Sequence, residues 1–329
     1  MEVKDTYFIR IYEEKDSEHF AIGECALFRG LSDEDMPNFE QELDDFCRDF
    51  NSDNGIAPSL FSSIRFGFET AFADWRNGGR HIPFESKWAE GRDSLLINGL
   101  IWMGTVEQMY QRACEKIEEG FSCVKLKIGG CSFDSELELL RKIRKNYSKE
   151  NLVIRLDANG AFTPENVLPS LDKLSQFDIH SIEQPIKAGQ WHAMAEICRK
   201  SPIPIALDEE LIGMNSSERK DSLLDEIKPA FVILKPSLCG GFSEAEEWIM
   251  KAKERGIGWW VTSALESAVG LNAIACWTAI LETEIPQGLG TGQLYLNDVV
   301  SPLRRQGERL YYNRDGRWEF PDLDWRKCQ

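Results

Sequence analysis

The stretch CVKLKI, residues 123–128, places Lys125 and Lys127 on one face of a short strand and Val124, Leu126 and Ile128 on the other, because successive strand side chains point to opposite sides. An apolar face toward covering helices is ordinary. Two ammonium groups on the opposite face require an enclosed interior that uses charge, since burying an unpaired cation is costly. The following apolar runs repeat the arrangement: LVIRLD (152–157), HSIE (180–183), PIALD (204–208), AFVILK (230–235) and WWVTS (259–263). Charged or polar residues close these strands at 127, 157, 183, 208, 235 and 263, with spacings of 30, 26, 25, 27 and 28 residues, each the length of one strand-plus-helix unit. INGLIWM (97–103) before them and a weaker PQGLG (286–290) after them bring the expected strands to eight.

Eight such units close naturally into a β/α barrel with its chemistry at the C-terminal strand ends. An open doubly wound sheet is the rival, but it draws its site from one crevice and not from five or six consecutive strands. The expected class is therefore α/β, a TIM-type barrel. Helix starts fit this reading: Thr105 with Gln108 and Ser243 with Glu246 have capping-box spacing, and Thr163-Pro164 offers an N-cap with proline at the first helical position.

Upstream the texture differs. YFIRIYEE and HFAIGECALF, within residues 6–29, alternate as an antiparallel meander. Residues 34–50 and 60–76 carry helical periodicity, the second on Leu60, Ile64, Phe68, Phe72 and Trp75. The expected organisation is an α+β domain over residues 1–95, joined by the tail 300–329, and a barrel domain over 96–299.

Alternation along the strands also sets the site. Arg155, Asp157 and Asn159 share a face, as do Pro204, Ala206 and Asp208, and Phe231, Ile233 and Lys235; Glu183 closes its own strand. Asp157, Glu183 and Asp208 thus come from three neighbouring strands and can surround one Mg²⁺ or Mn²⁺, whose preference is for oxygen ligands with positions left for water and substrate. A single strand-end acid or lysine is more often a solvated loop residue or a helix cap. Five strands each ending in the required charge make a site.

Composition narrows the partners. With 38 Lys and Arg against 55 Asp and Glu, the net charge of −17 disfavours nucleic acid and anionic membranes, so an anionic substrate needs local cations. No apolar run reaches bilayer-spanning length, the N-terminus does not read as a secretion signal, and the nine cysteines form no C-x-x-C pair, which together lead us to expect a cytoplasmic protein with reduced thiols. His19, His81, His180 and His192 show no zinc-site spacing. Gly129-Gly130 and Gly240-Gly241 read as strand-to-helix turns, and Cys123 as core filler.

These motifs resemble the enolase superfamily and, within it, the muconate-lactonising subgroup. KLK (125–127) resembles its K-x-K motif, LDAN (156–159), IEQP (182–185) and LDE (207–209) its three metal-ligand motifs, and LKP (234–236) its opposing lysine. The resemblance implies a capping domain on a modified (β/α)7β barrel, a bound Mg²⁺, Lys127 as base and Lys235 facing it. GECALFRGLS (23–32), SIRFGFETA (63–71), TSALESAVG (262–270) and GLGTGQLYLND (288–298) further resemble the o-succinylbenzoate synthase family, which implies a syn dehydration of a small carboxylate. Lys125, Arg155, Asn159, Glu209, Ser263, Gly288 and Gly30 are then the expected surrounding contacts, Gly30 on a lid. Rival readings are an N-acylamino acid racemase, a dipeptide epimerase, a muconate-type cycloisomerase, or a catalytically silent barrel that binds. The epimerases' Asp-x-Asp near the last strand is replaced here by GLGTG, and Asp322-Leu323-Asp324 in the tail reads as surface.

Overall fold

The computed structural model describes residues 4–51, 61–281, 283–292 and 294–328; Leu60, expected to open the second helix, and Gln293 lie outside them. The chain begins with β1 (Tyr7–Glu13) and β2 (Asp16–Cys25), paired antiparallel from Tyr7 opposite Cys25 to Tyr12 opposite Phe20. The expected meander is therefore one hairpin. Its inner face packs on α2 (Ser62–Arg76) so closely that a Cβ on Gly23 would fall 1.8 Å from the Gly67 carbonyl oxygen. The preceding helix, α1, spans Phe39–Asn51 and starts later than the periodicity from residue 34 suggested. Pro37 disfavours helical backbone before it, and Glu34 instead accepts the Ser62 and Ser63 amides at the start of α2.

The barrel follows a short β3 (Leu95–Leu96). Its elements are β4 (Gly99–Ile101), α3 (Val106–Glu118), β5 (Cys123–Lys127), α4 (Phe133–Asn146), β6 (Val153–Asp157), α5 (Val167–Leu174), β7 (Ser181–Glu183), α6 (Trp191–Lys200), β8 (Ile205–Leu207), α7 (Ser217–Ile227), β9 (Phe231–Leu234), α8 (Gly241–Glu254), β10 (Gly258–Val261) and α9 (Ala268–Ile280). Strands β4 to β10 form one parallel seven-stranded sheet in chain order. PQGLG does not form an eighth regular strand. It closes the ring through isolated parallel bridges, Gln287 to Ile97 and Gly288 to Thr262. Pro286 lacks an N–H, and a Cβ at Gly288 would lie 2.3 Å from Thr262 Oγ1, so the chain there approaches as glycine.

Packing follows the alternation. Val124, Leu126, Ile154, Leu156, Ile182, Leu207, Val232 and Leu234 belong to one continuous core with the helices, each buried aliphatic side chain stabilising by about 1.5–3 kcal/mol. Ala206, Phe231, Ile233 and Trp260 form a separate cluster, the inward set. Both arms of the Thr105–Gln108 capping box are present. The other two expected helix starts shift. The helix after Thr163 begins only at Val167, which puts Pro169 in the first turn, where its missing N–H costs nothing. Ser243 lies inside α8, whose N-cap is Gly240 at φ +100, and its hydroxyl donates to Glu69.

That contact is part of the docking of the N-terminal segment on the barrel, in which two carboxylates meet helix starts. Glu69 accepts the Phe242 and Ser243 amides at the start of α8, and Glu24 accepts the Ser267 and Gly270 amides at the start of α9. Carboxylates are favoured at helix N-termini, where unpaired N–H groups point outward. At the other end of the chain, β11 (Leu303–Gln306) and β12 (Arg309–Tyr312) pair antiparallel, β12 continues onto β3, and Trp318 and Phe320 pack against Ile22 and Phe20. No helix among the described residues is long and apolar enough to cross a membrane.

Candidate active site

Registered pairing brings the strand ends to one level: Lys127 lies opposite Asp157, Asp157 opposite Glu183, and Glu183 opposite Ala206. One layer deeper, Lys125, Arg155 and Ser181 are in register. Carboxylate oxygens of Asp157, Glu183 and Asp208 all lie within 4.8 Å of one another, and the three side chains are buried.

Three lysines surround these acids. Lys125 Nζ is 2.9 Å from Asp157 Oδ2 and also donates to Glu183. Lys127 Nζ donates to Asp157 at 2.6 Å and to Asn159 Oδ1 at 2.7 Å, while Lys235 Nζ donates to Asp208 at 2.5 Å. Lys127 and Lys235 thus reach the acid cluster from separate strands. Burial alone would favour neutral amines at Lys125 and Lys235, but the carboxylates beside them hold both ammonium groups well above the ordinary lysine range. Burial would likewise raise Asp157, yet Lys125, Lys127 and Lys235 keep it well below the usual carboxylate range. Glu183 goes the other way: burial and the neighbouring Asp157 and Asp208 push it up to about 7 against the pull of Lys125.

The donor set suits a divalent cation. Glu183 Oε1 is buried with no hydrogen-bond partner among the described residues, an arrangement that costs about 1–3 kcal/mol unless a ligand satisfies it. Three carboxylates with one such free oxygen fit a hard divalent cation.

The remaining sequence-expected residues divide. Asn159, at φ +43, links Lys127 to Glu209 by donating to Glu209 Oε1 at 2.7 Å, so Glu209 supports the site from behind. Glu210 instead accepts the Gly189 amide. Arg155 is brought into the interior but beneath the acids, its guanidinium 4.0 Å over the Trp260 ring and donating to the Pro286 carbonyl. Ser263 donates to Glu266 at 2.6 Å and accepts from Thr291 at 2.8 Å, and Gly288 sits against Thr262. Gly30, at φ +77, lies on an exposed turn whose amide donates to Asp35 Oδ2, with Arg29 paired to the same carboxylate. That capping segment reaches two barrel loops, with Asp33 against Gly213 and Phe28 beneath the Lys4 ammonium that contacts Leu265. Asp322 and Asp324 are exposed. A cleft lined by Tyr7, Arg10, Phe46, Phe68 and Trp325 lies on the capping side and includes none of the acids.

Sequence reasoning passed over Glu24, Glu69 and Glu266 as site-supporting groups. Their acidic type was visible, but the helix starts that Glu24 and Glu69 cap, and the Ser237 hydroxyl that Glu266 takes besides its neighbour Ser263, lie far away along the chain.

Residues 108–312 match the family described as enolase C-terminal domain-like. The chain is 48% identical over 276 residues to the o-succinylbenzoate synthase of Desulfotalea psychrophila, spanning 84% of this chain and 75% of that protein. It is 26% identical over 216 residues to an L-amino acid-D/L-Glu epimerase of Francisella philomiragia, spanning 65% of this chain and 59% of the relative. The crystal structure of MenC from Desulfotalea psychrophila superposes with a TM-score of 0.80 at 42% identity, covering 94% of each chain. With its family match running over more than half its length and its acids and lysines on successive barrel strands, the chain belongs to the enolase C-terminal domain-like family of the enolase superfamily.

Proposed function

We propose that this protein is an o-succinylbenzoate synthase, a hydro-lyase that removes water from 2-succinyl-6-hydroxy-2,4-cyclohexadiene-1-carboxylate in menaquinone biosynthesis. The observation that carries this reading is the 48% identity to a known synthase. It falls on a chain that keeps both opposed lysines around the acid cluster.

Asp157, Glu183 and Asp208 would hold Mg²⁺, with Mn²⁺ as an alternative. When bound, that ion would supply positive charge beside the substrate carboxylate. Lys127 takes the proton next to that carboxylate and returns it to the departing hydroxyl on the same face, so a C–H and a C–O bond break, water leaves and the ring becomes aromatic. Lys235 remains an ammonium across the substrate and balances developing negative charge. Lys125, gripped by Asp157 and Glu183, fixes the acids in place. Ser263 and Gly288 are our candidates for the side on which the succinyl group would extend, Arg155 supports the interior from below the acids instead of reaching substrate, and the segment bearing Gly30 acts as the lid. We take residues 1–95 with the tail 300–329 as the capping unit and 96–299 as the barrel, a division supported by β12 pairing with β3. A cytoplasmic location is part of the same proposal, supported by nine free thiols.

The test is ultraviolet loss of the cyclohexadiene when purified protein and Mg²⁺ are added, run beside deuterium exchange into N-succinyl amino acids. Rapid exchange with no dehydration would replace the synthase reading by the racemase one, which the epimerase relatives make the alternative.

A further inference from the structure

The loop after β10 is built around Leu265, a bulky residue held at φ +63. That left-handed conformation is uncommon for any residue but glycine, asparagine or aspartate, and unfavourable for leucine. Strain of this kind persists where surrounding contacts enforce it, and such contacts are present. The Leu265 carbonyl accepts two side-chain hydrogen bonds, from Lys4 Nζ at 2.7 Å and from Tyr295 Oη at 2.7 Å. Lys4 approaches the Ala264 carbonyl as well, at 3.5 Å, and no carboxylate lies within ion-pair distance of it among the described residues. Its charge is directed at the loop backbone.

This loop adjoins the catalytic machinery. Glu266 bridges Ser263 and Ser237, and Ser237 stands two residues beyond Lys235. It also meets the capping side twice, through Glu24 on Ser267 and through Lys4, which lies 5.9 Å from the centre of the Phe28 ring in the capping segment.

We propose that Lys4 and Tyr295 are positioning residues that grip the Leu265 carbonyl from two distant segments and hold residues 263–266 as a wall of the substrate pocket, so that substrate fit depends on docking of the capping side. The proposal rests on the synthase reading for its substrate but not for its geometry. Neither residue touches the acids or Lys127 and Lys235, so the grip acts on binding and leaves the proton-transfer step alone.

The experiment compares Lys4→Met, Lys4→Arg, Tyr295→Phe, Leu265→Gly and the double variant Lys4→Met/Leu265→Gly, measuring KM, kcat and Tm with the cyclohexadiene substrate and Mg²⁺. Loss of one hydrogen bond should raise KM about two- to tenfold in Lys4→Met and in Tyr295→Phe, with kcat within about twofold of wild type, and Lys4→Arg should restore most of the loss. Glycine adopts the left-handed turn without help, so Lys4→Met should add nothing to whatever KM Leu265→Gly shows. Unchanged KM in both single variants, or a fall in Tm and kcat with KM constant, overturns the proposal. If wild type does not dehydrate the substrate, the synthase reading fails by itself. The grip is then decided by hydrogen–deuterium exchange at the amides of residues 264–267, faster in Lys4→Met and Tyr295→Phe if it exists and unchanged if it does not.

Discussion

Glu183 gives one carboxylate oxygen to the Lys125 ammonium and leaves the other, Oε1, buried with no hydrogen-bond partner among the described residues. The pairing orients the carboxylate and keeps an oxygen available for a cation shared with Asp157 and Asp208.

Replacing Glu183 by Gln, or Asp157 or Asp208 by Asn, should therefore lower activity by more than about 100-fold, since removing even an outer partner of a metal site costs about 10–100-fold. The fold should remain. Thermal melts with and without Mg²⁺ check the cause, because binding to the native state alone raises Tm. Wild type should gain and Glu183→Gln should not; an equal Mg²⁺-dependent gain in both would remove Glu183 from the ligand set.

The two lysines should separate under substitution by arginine. Lys127→Ala and Lys235→Ala should each reduce turnover by about 10²–10⁴, the usual range for a positioned proton-transfer group. Lys127→Arg should show no turnover, because arginine is not deprotonated in proteins. Lys235→Arg should keep a trace, since a permanent cation can still face the substrate, although a planar guanidinium sits differently from an ammonium. Equal residual activity in the two arginine variants would contradict the assignment of a single base.

His180 should make the barrel acid-sensitive. Its ring stacks on Phe231 at 5.2 Å between centroids and meets Trp260 edge-on, and burial together with nearby Arg155 lowers its pKa from 6.5 to about 4. The folded state then binds fewer protons at this site than the unfolded chain between those values, so stability is present above pH 6.5 and is lost as pH falls toward 4. Melting temperatures recorded from pH 7 to pH 4.5 should decline less steeply in His180→Phe than in wild type. Parallel profiles would show that another group governs the acid limb.

On the capping segment, Arg29 and Gly30 both engage Asp35 and shape the exposed turn. An exposed ion pair contributes little to stability, so Arg29→Ala should leave Tm nearly unchanged. Deleting residues 26–31 should raise KM and broaden substrate choice, because Phe28 within this stretch packs beside the Lys4 ammonium that meets the Leu265 loop, and Asp33 just after it lies against Gly213. Unchanged KM and selectivity after the deletion would mean that the segment is not a lid.

By itself the sequence determined the barrel, its strand order and the inward-facing set, because a two-residue alternation read along each strand leaves Lys125, Lys127, Asp157, Glu183, Asp208 and Lys235 on the opposite side from the aliphatic core. Those signals are local, and local signals survive in a single chain read without its fold. Tertiary structure decided what depends on distant neighbours. Arg155 shares a face with Asp157 one layer further in, but the groups that take its guanidinium, the Trp260 ring and the Pro286 carbonyl, come from distant strands. Ser243 has capping-box spacing, yet Glu69 from the other end of the chain takes its hydroxyl. The eighth strand fails to form because Pro286 and Gly288 permit only bridges to Ile97 and Thr262. At the left-handed Leu265 turn the local bonds to Ser263 and Glu266 were within reach of the sequence, but Lys4 and Tyr295 meet the Leu265 carbonyl only once the chain has folded around the barrel.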